Sequence, residues 1–270
     1  MIVGANTPSA IYVGANQVDK GYLGASQFYA KAWTPAEISI TAWFDATDVS
    51  TVTESAGAVS QWDDKSGNSR HATQAIGPDQ FTTGVNSING LNALACDGDH
   101  MDLPAISASS NIHLFFVVRN RATGDGRQGG LVVMTSDTSI PHFGHGPGGA
   151  GQWYESFYST SRPLLYTGAG VVSPKEVLGY VVQDGTNLRG LVHGYGTENS
   201  VPATFTGTPT RNYIGSEFGT MTYIDYGELI LIQSPTTDEK EKLEGYLAWK
   251  WGLEASLPAL HPYKNSHPTI

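Results

Sequence analysis

The chain has 270 residues, enough for one sizeable core, and its 32 glycines and 14 prolines beside 40% hydrophobic residues describe a turn-rich sheet protein rather than a helical or disordered one. A formal net charge of -10, with only 15 lysines and arginines spread along the chain, excludes a surface that tracks phosphates, so no nucleic-acid partner is expected. Cys96 has no cysteine to pair with, the first residues lack the basic and apolar regions of a secretory signal, and no run approaches the ~18–20 apolar residues of a membrane span. The expectation is a protein made and folded in cytoplasm, with no membrane insertion.

In chain order, the first feature is a repeat. Val3-Gly4-Ala5-Asn6 returns as Val13-Gly14-Ala15-Asn16 and as Leu23-Gly24-Ala25-Ser26, ten residues apart. Each decad offers one short extended run, such as Ile11-Tyr12-Val13, and a sheet of three such strands has little face to bury. Residues 1–36 are therefore read as a small β segment for anchoring or oligomerisation, or else as added edge strands of the main domain, which spans 37–270. Apolar, β-prone runs follow at 38–44, 113–118, 131–134, 177–182 and 223–232, separated by turn-formers such as Asp63 to Asn68, Asp97-Gly98-Asp99 and Asp184-Gly185. This pattern predicts an all-β fold, a sandwich of two antiparallel sheets.

The clearest helical signal comes near the end. Thr236 as N-cap and Glu239 three residues on fit a capping box, Leu243, Leu247 and Trp251 share a face, and Gly252 stands ready to close the helix. Lys250 falls near that apolar face, and its stem is expected to lie along it with the ammonium reaching out toward the last carbonyls. Trp43 and Trp62, inside strand-like motifs, read as core aromatics rather than exposed sugar-stacking platforms.

Several of these stretches together resemble a known family. Trp43-Phe44-Asp45-Ala46-Thr47-Asp48, Val59 to Asn68, Ala72-Thr73-Gln74 and Cys96-Asp97-Gly98-Asp99, with Gly227-Glu228-Leu229-Ile230, Glu244 to Leu253 and Leu257 to Tyr263 at the other end, are similar to laminin-G-like jelly rolls of the concanavalin A-like lectin/glucanase superfamily. The match runs from about Ile38 to His267, with no recognisable motif between about Arg121 and Gly207. The opening decads resemble the N-terminal segments of phage structural proteins that carry an adhesive jelly roll. The resemblance implies a two-sheet antiparallel jelly roll with one C-terminal helix, in a non-enzymatic virion protein: a tail fibre, spike or capsid decoration displaying a lectin-like domain for host attachment. It implies homo-oligomers and other virion proteins as partners through residues 1–33, a cell-surface glycan as ligand, and a virion assembled in the host cytoplasm. The alternatives are a purely structural decoration and a bacterial polysaccharide-processing or cell-surface protein.

The family also implies a calcium site. Some relatives place calcium where Asp63, Asp64, Asn68, Asp97 and Asp99 stand here, and the competing reading is that Asp and Asn beside Gly are ordinary turn formers. For a glycan, the candidates are His142, Tyr154, Tyr158 and Arg162, in a Gly-rich middle where aromatic rings and polar groups meet on loops. Two Gly-x-Gly-x-x-Gly matches, at Gly124 and Gly144, do not lie between a strand and a helix and carry no nucleotide reading, while His142 and His145 read as part of a loop. Catalysis is not expected. A retaining glycosidase needs two carboxyls about 5–5.5 Å apart, and Asp225 and Glu228, three apart on one strand, should point to opposite faces.

Overall fold

The computed structural model describes residues 12–13, 16–23, 26–106, 111–121, 129–135, 142–148, 152–156, 164–167, 175–202, 211–216 and 223–270. The repeated phrase at the start makes hairpins. β1 (Tyr12–Val13) pairs with β2 (Asn16–Gln17), and β3 (Lys20–Leu23) pairs with β4 (Ser26–Ala30). Val13 opposes Asn16 and Leu23 opposes Ser26, so the first and fourth residues of the second and third copies of the phrase pair with each other. Among the described residues the repeat forms two separate two-stranded sheets; the first copy of the phrase, at 3–6, lies outside the described residues, so the expected third strand is not among them.

The main body is built from β5 (Ala42–Asp45), β6 (Val52–Ser55), β7 (Ala58–Trp62), β8 (Ala72–Thr73), β9 (Phe81–Ile88), β10 (Leu91–Asp97), β11 (His100–Leu103) and β12 (Ile112–Asn120). It continues with β13 (Gly129–Thr135), β14 (His142–Gly148), β15 (Gln152–Ser156), β16 (Leu164–Thr167), β17 (Lys175–Gln183), β18 (Asn187–Val192), β19 (Asn199–Pro202), β20 (Arg211–Ser216) and β21 (Tyr223–Gln233). Pairing runs antiparallel along β19-β18-β17-β12-β21, with β5 and β10 sharing the far edge of β21, then through β9, β7, β8 and β11 into β20-β13-β14-β15-β16. This is the all-β antiparallel sandwich that composition and patterning called for.

Why the middle of β12 and most of β21 are apolar on both faces becomes clear from what each face meets. Leu114, Phe116 and Val118 turn into the core between the sheets with Trp62, Phe81, Leu94 and Leu229. Phe115 and Val117 turn the other way, into a second core with Trp43, Tyr180 and Ile230. That second core is roofed by α1 (Thr237–Lys250), through Leu243 and Leu247, and by Trp251, which caps the helix. A strand buried on both faces has no polar side to alternate with. The helix starts on the expected capping box, in which Thr236 Oγ1 accepts from the Glu239 amide and the Glu239 carboxylate accepts from the Thr236 amide, and it ends beside Gly252, whose φ of +64° is left-handed. No helix of the described residues is long and apolar enough to cross a membrane.

The two chain ends meet on this framework. Ala32 bridges Thr269, the Trp33 amide donates to the Pro268 carbonyl at 3.0 Å, and the Ile270 amide donates to the Lys31 carbonyl at 3.1 Å. Trp33 is buried in the helix-side core, so the chain joins the sandwich from Lys31 onward.

Candidate functional site

Polar groups gather in two places on this frame. The first is under the helix. Glu228 is fully buried, and its carboxylate accepts from Trp43 Nε1 at 2.7 Å, Trp251 Nε1 at 2.8 Å, Tyr246 Oη at 3.1 Å and Lys250 Nζ at 2.7 Å. Lys250 also reaches Asp45 at 2.7 Å, and Lys65 ties Asp45 and Asp48 at 2.8 Å each. Lys250 thus turns inward onto carboxylates, not outward to the helix carbonyls as expected, because two buried acids offer far more than a solvated helix end. Burial pushes the Glu228 carboxyl up against the pull of Lys250. Burial also acts to raise Asp45, but the Lys250 charge and the hydrogen bonds from Lys250 and Lys65 outweigh it and hold that carboxyl low.

The strand-parity argument about Asp225 and Glu228 fails here. Val117 pairs with Glu228 but Val118 with Tyr226, leaving Gly227 as an extra residue, and at the same point the neighbour of β21 changes from β5 to β10. This β-bulge resets the alternation. Asp225 lies opposite Arg119 and Glu228 opposite Val117, both on the helix-side face, so the two acids share it. A side chain at Gly227 would meet the Trp251 ring, its Cβ only 2.8 Å from Cη2, which is why glycine stands there. Each acid has its own partners: Asp225 takes Arg121 Nε at 2.7 Å and Asn86 Nδ2 at 2.8 Å.

The second place is the turn after β7. Asp64 organises it: Oδ1 accepts from the amides of Trp43 and Ser66, and Oδ2 from Ser66 Oγ and the Arg70 amide, all within 3.0 Å. Asn68 Nδ2 donates to the Ile40 and Thr41 carbonyls. Ser69, at φ +55°, holds a left-handed conformation uncommon for a residue with a side chain. From there residues 68–71 form a wall one chain thick. Ser69 and His71 line a solvent-open cleft of about 380 Å³ with Gln61, Thr73, Asp102 and Pro104. Asn68 and Arg70 line a second cleft, of about 250 Å³, on the other side. In the first cleft, His71 Nδ1 lies 3.0 Å from Asp63 Oδ1 and 3.2 Å from the Asp64 amide, which fixes the ring. Side-chain amide, imidazole, hydroxyl and carboxylate groups beside the apolar surface of Leu103 and Pro104 suit a ligand with hydroxyls on its rim and C–H groups on its face.

Of the residues singled out in the sequence, Asp63, Asp64 and Asn68 build this wall rather than an ion cage. Asp97 and Asp99 belong to the separate β10–β11 turn, where Asp97 pairs with Arg121 at 2.6 Å and the Asp99 carboxylate accepts from the Asp97 amide. Among the described residues no group of three or more His, Cys, Asp or Glu is placed to hold a metal ion, and the Asp64 oxygens are already taken by four protein donors. His142 begins β14, so the 142–145 stretch read as a loop is paired strand, while Tyr154 sits in β15, in a run that is strand-like in sequence; their side chains, and Tyr158 and Arg162 altogether, lie outside the described residues. Trp43 and Trp62 are core residues, as expected. His71, Thr73 and Asp102 went unnoticed because no motif links them: β8 and β11 bring them together only in the fold. The one signal available was the clustering of polar residues on both sides of Ala72.

With that geometry in hand, comparison with solved structures adds a frame. No protein-family model and no curated protein matches the chain in sequence. In structure it is similar to Trypanosoma rangeli sialidase in complex with a difluoro derivative of 2-keto-3-deoxynononic acid, with a TM-score of 0.57, 14% identity, and 86% of this chain aligned to 36% of that one. It is also similar to domain 4 of AbnA, a GH43 extracellular arabinanase from Geobacillus stearothermophilus, in complex with arabinotriose, with a TM-score of 0.50, 15% identity, and 72% of this chain covering 92% of that domain. What the matches share with this chain is the β-sandwich. The chain spans about a third of the sialidases' length. The expectation of a non-enzymatic protein is overturned: the structures of like fold are glycoside hydrolases or parts of them, and the parity argument behind that expectation fails at Gly227. The matches speak for a sandwich of the lectin-like kind and leave the laminin-G and phage resemblance where the sequence put it.

Proposed function

We propose that this chain acts on carbohydrate, holding an oligosaccharide in the cleft between the 68–71 wall and β11. The observation that carries the reading is the match to a domain in complex with arabinotriose, aligned over 92% of that domain. The cleft supports it with His71, Gln61, Thr73 and Asp102 as hydrogen-bonding groups for hydroxyls and Pro104 as an apolar floor. Titration calorimetry of the full chain with arabinotriose and with a sialylated trisaccharide, with products separated by chromatography, tests it. Saturable binding that His71→Ala removes supports the reading, and appearance of shorter sugars extends it to hydrolysis. Absence of binding to either sugar argues against it.

The finer reading is display on a phage particle, with residues 1–33 mounting the sandwich on other virion proteins or on further copies of the chain. It is supported by the resemblance of the decads to phage structural proteins and by hairpins whose strands, among the described residues, pair with each other and not with the sandwich. Deleting residues 1–30, which stops short of the Lys31–Trp33 segment that the sandwich holds, should leave the sandwich folded and abolish assembly, measured by sedimentation of the variant and by its incorporation into particles. A truncated chain that still assembles refutes the mount.

A further inference from the structure

The second cleft holds an arginine without a counter-ion. Arg119 pairs with Glu176, Arg121 with Asp97 and Asp225, and Arg189 with Asp184 and Glu198. Among the described residues, the Arg70 guanidinium has no carboxylate partner: Nη1 donates to the Thr41 carbonyl, and Asp64 takes only the backbone amide of Arg70. In a chain with a net charge of -10, acids are plentiful, so an arginine held this way keeps most of its donors for something else. Its position is built by the same turn, because Asp64 fixes its backbone and Thr41 its head. Around it stand Ser39, Thr41 and Asn68, and the floor is Ile40 and Ile106, both buried. The space of about 250 Å³ is smaller than the ~300–1,000 Å³ of drug-sized ligand pockets and matches one sugar ring.

We propose that the Arg70 cleft binds the carboxylate of an acidic sugar residue, with the guanidinium as its bidentate partner and the isoleucine floor under the ring. The proposal rests on the carbohydrate reading and deepens it. Asn68 and Arg70 face one cleft while Ser69 and His71 face the other, so a glycan crossing the wall places an acidic unit at Arg70 next to a unit at His71. The ligand class is then a glycan with acidic residues in its chain.

The test is nuclear magnetic resonance of the full chain, following the Arg70 side-chain Nε–H and the His71 ring, with glucuronate, glucose, arabinotriose and inorganic sulfate as probes. Glucuronate should shift Arg70 saturably while glucose does not, and Arg70→Gln, which keeps a donor for the Thr41 carbonyl, should weaken glucuronate roughly tenfold or more. No glucuronate response at Arg70 overturns the proposal, as does equal binding by Arg70→Gln. Sulfate binding as tightly as glucuronate also overturns it, since the cleft then reads charge without the sugar. If arabinotriose moves His71 while glucuronate leaves Arg70 unmoved, the carbohydrate reading stands and only this inference falls; if neither sugar acts, both fall.

Discussion

The cluster under the helix and the wall at 68–71 are both rich in polar side chains, and Lys65, in the turn itself, joins them through Asp45. They differ in what their hydrogen-bonding groups face. Glu228 has four donors on one buried carboxylate, and Lys250 answers two buried acids, so the strong groups are matched inside the protein. At the wall the backbone is fixed just as firmly, by Asp64, yet His71, Asp102 and Arg70 line clefts. A polar cluster turned inward holds a fold together; one that is rigid and open to a cleft is able to bind.

The largest effect should come from the first region. Glu228→Ala leaves two indole N–H groups buried without their acceptor, and Lys250 with Asp45 as its remaining carboxylate, and should cost about 3–5 kcal/mol, whereas Glu228→Gln, which keeps the shape and one acceptor, should cost clearly less; urea unfolding reads both. Equal, small losses would mean the cluster contributes little to the fold.

Next in size is the response to acid. Burial is the main cause that lowers His113 and His193 from 6.5 to about 4; Arg189 adds to it at His113, and Glu244 opposes it at His193. Between those values the unfolded chain binds protons that the native chain refuses, so stability is complete above pH 6.5 and falls as pH drops toward about 4. Each histidine carries about 3 kcal/mol at most on this count. Asp45, held below its usual 3.8, loses its contribution only at lower pH still. Chemical denaturation across pH should show the upper window, and His193→Gln should flatten it; an unchanged slope in the variant would remove His193 from the account.

How much of this could be read in the sequence divides along the same line. The helix announced itself through Thr236 and Glu239, and the tryptophans through their place in strand-like runs, because capping and alternation are local rules. Gly227 broke the local rule: one extra residue in a paired strand reverses which face everything beyond it occupies, and its only trace was a glycine inside an apolar run. The inward turn of Lys250 was not legible because it depends on how the helix folds back over the strand before it, which carries Glu228, and on Asp45, which comes from a strand far away in sequence. The wall was half visible, since Asp63 to Asn68 is an evident turn, but its other side, β8 and β11, is supplied by pairing alone.

A smaller effect is expected at the helix start, where Thr236→Ala removes the cap and should cost about 1 kcal/mol by thermal or urea unfolding. A loss several times larger would mean that the cap also anchors the roof over the second core.

The smallest effect on stability, and the most telling for function, belongs to the wall. His71→Ala and Asp102→Ala change partly exposed side chains and should each move stability by no more than about 0.5 kcal/mol. The measurement that bears most directly on the central claim is calorimetric titration of the native chain and of the His71→Ala, Asp102→Ala double variant with arabinotriose, beside their melting curves. Saturable heat for the native chain, lost in the variant while the melting temperature stays put, is the result expected. A native chain that gives no heat, or a variant that binds as well as the native chain, contradicts the claim that this cleft is where the protein meets its sugar.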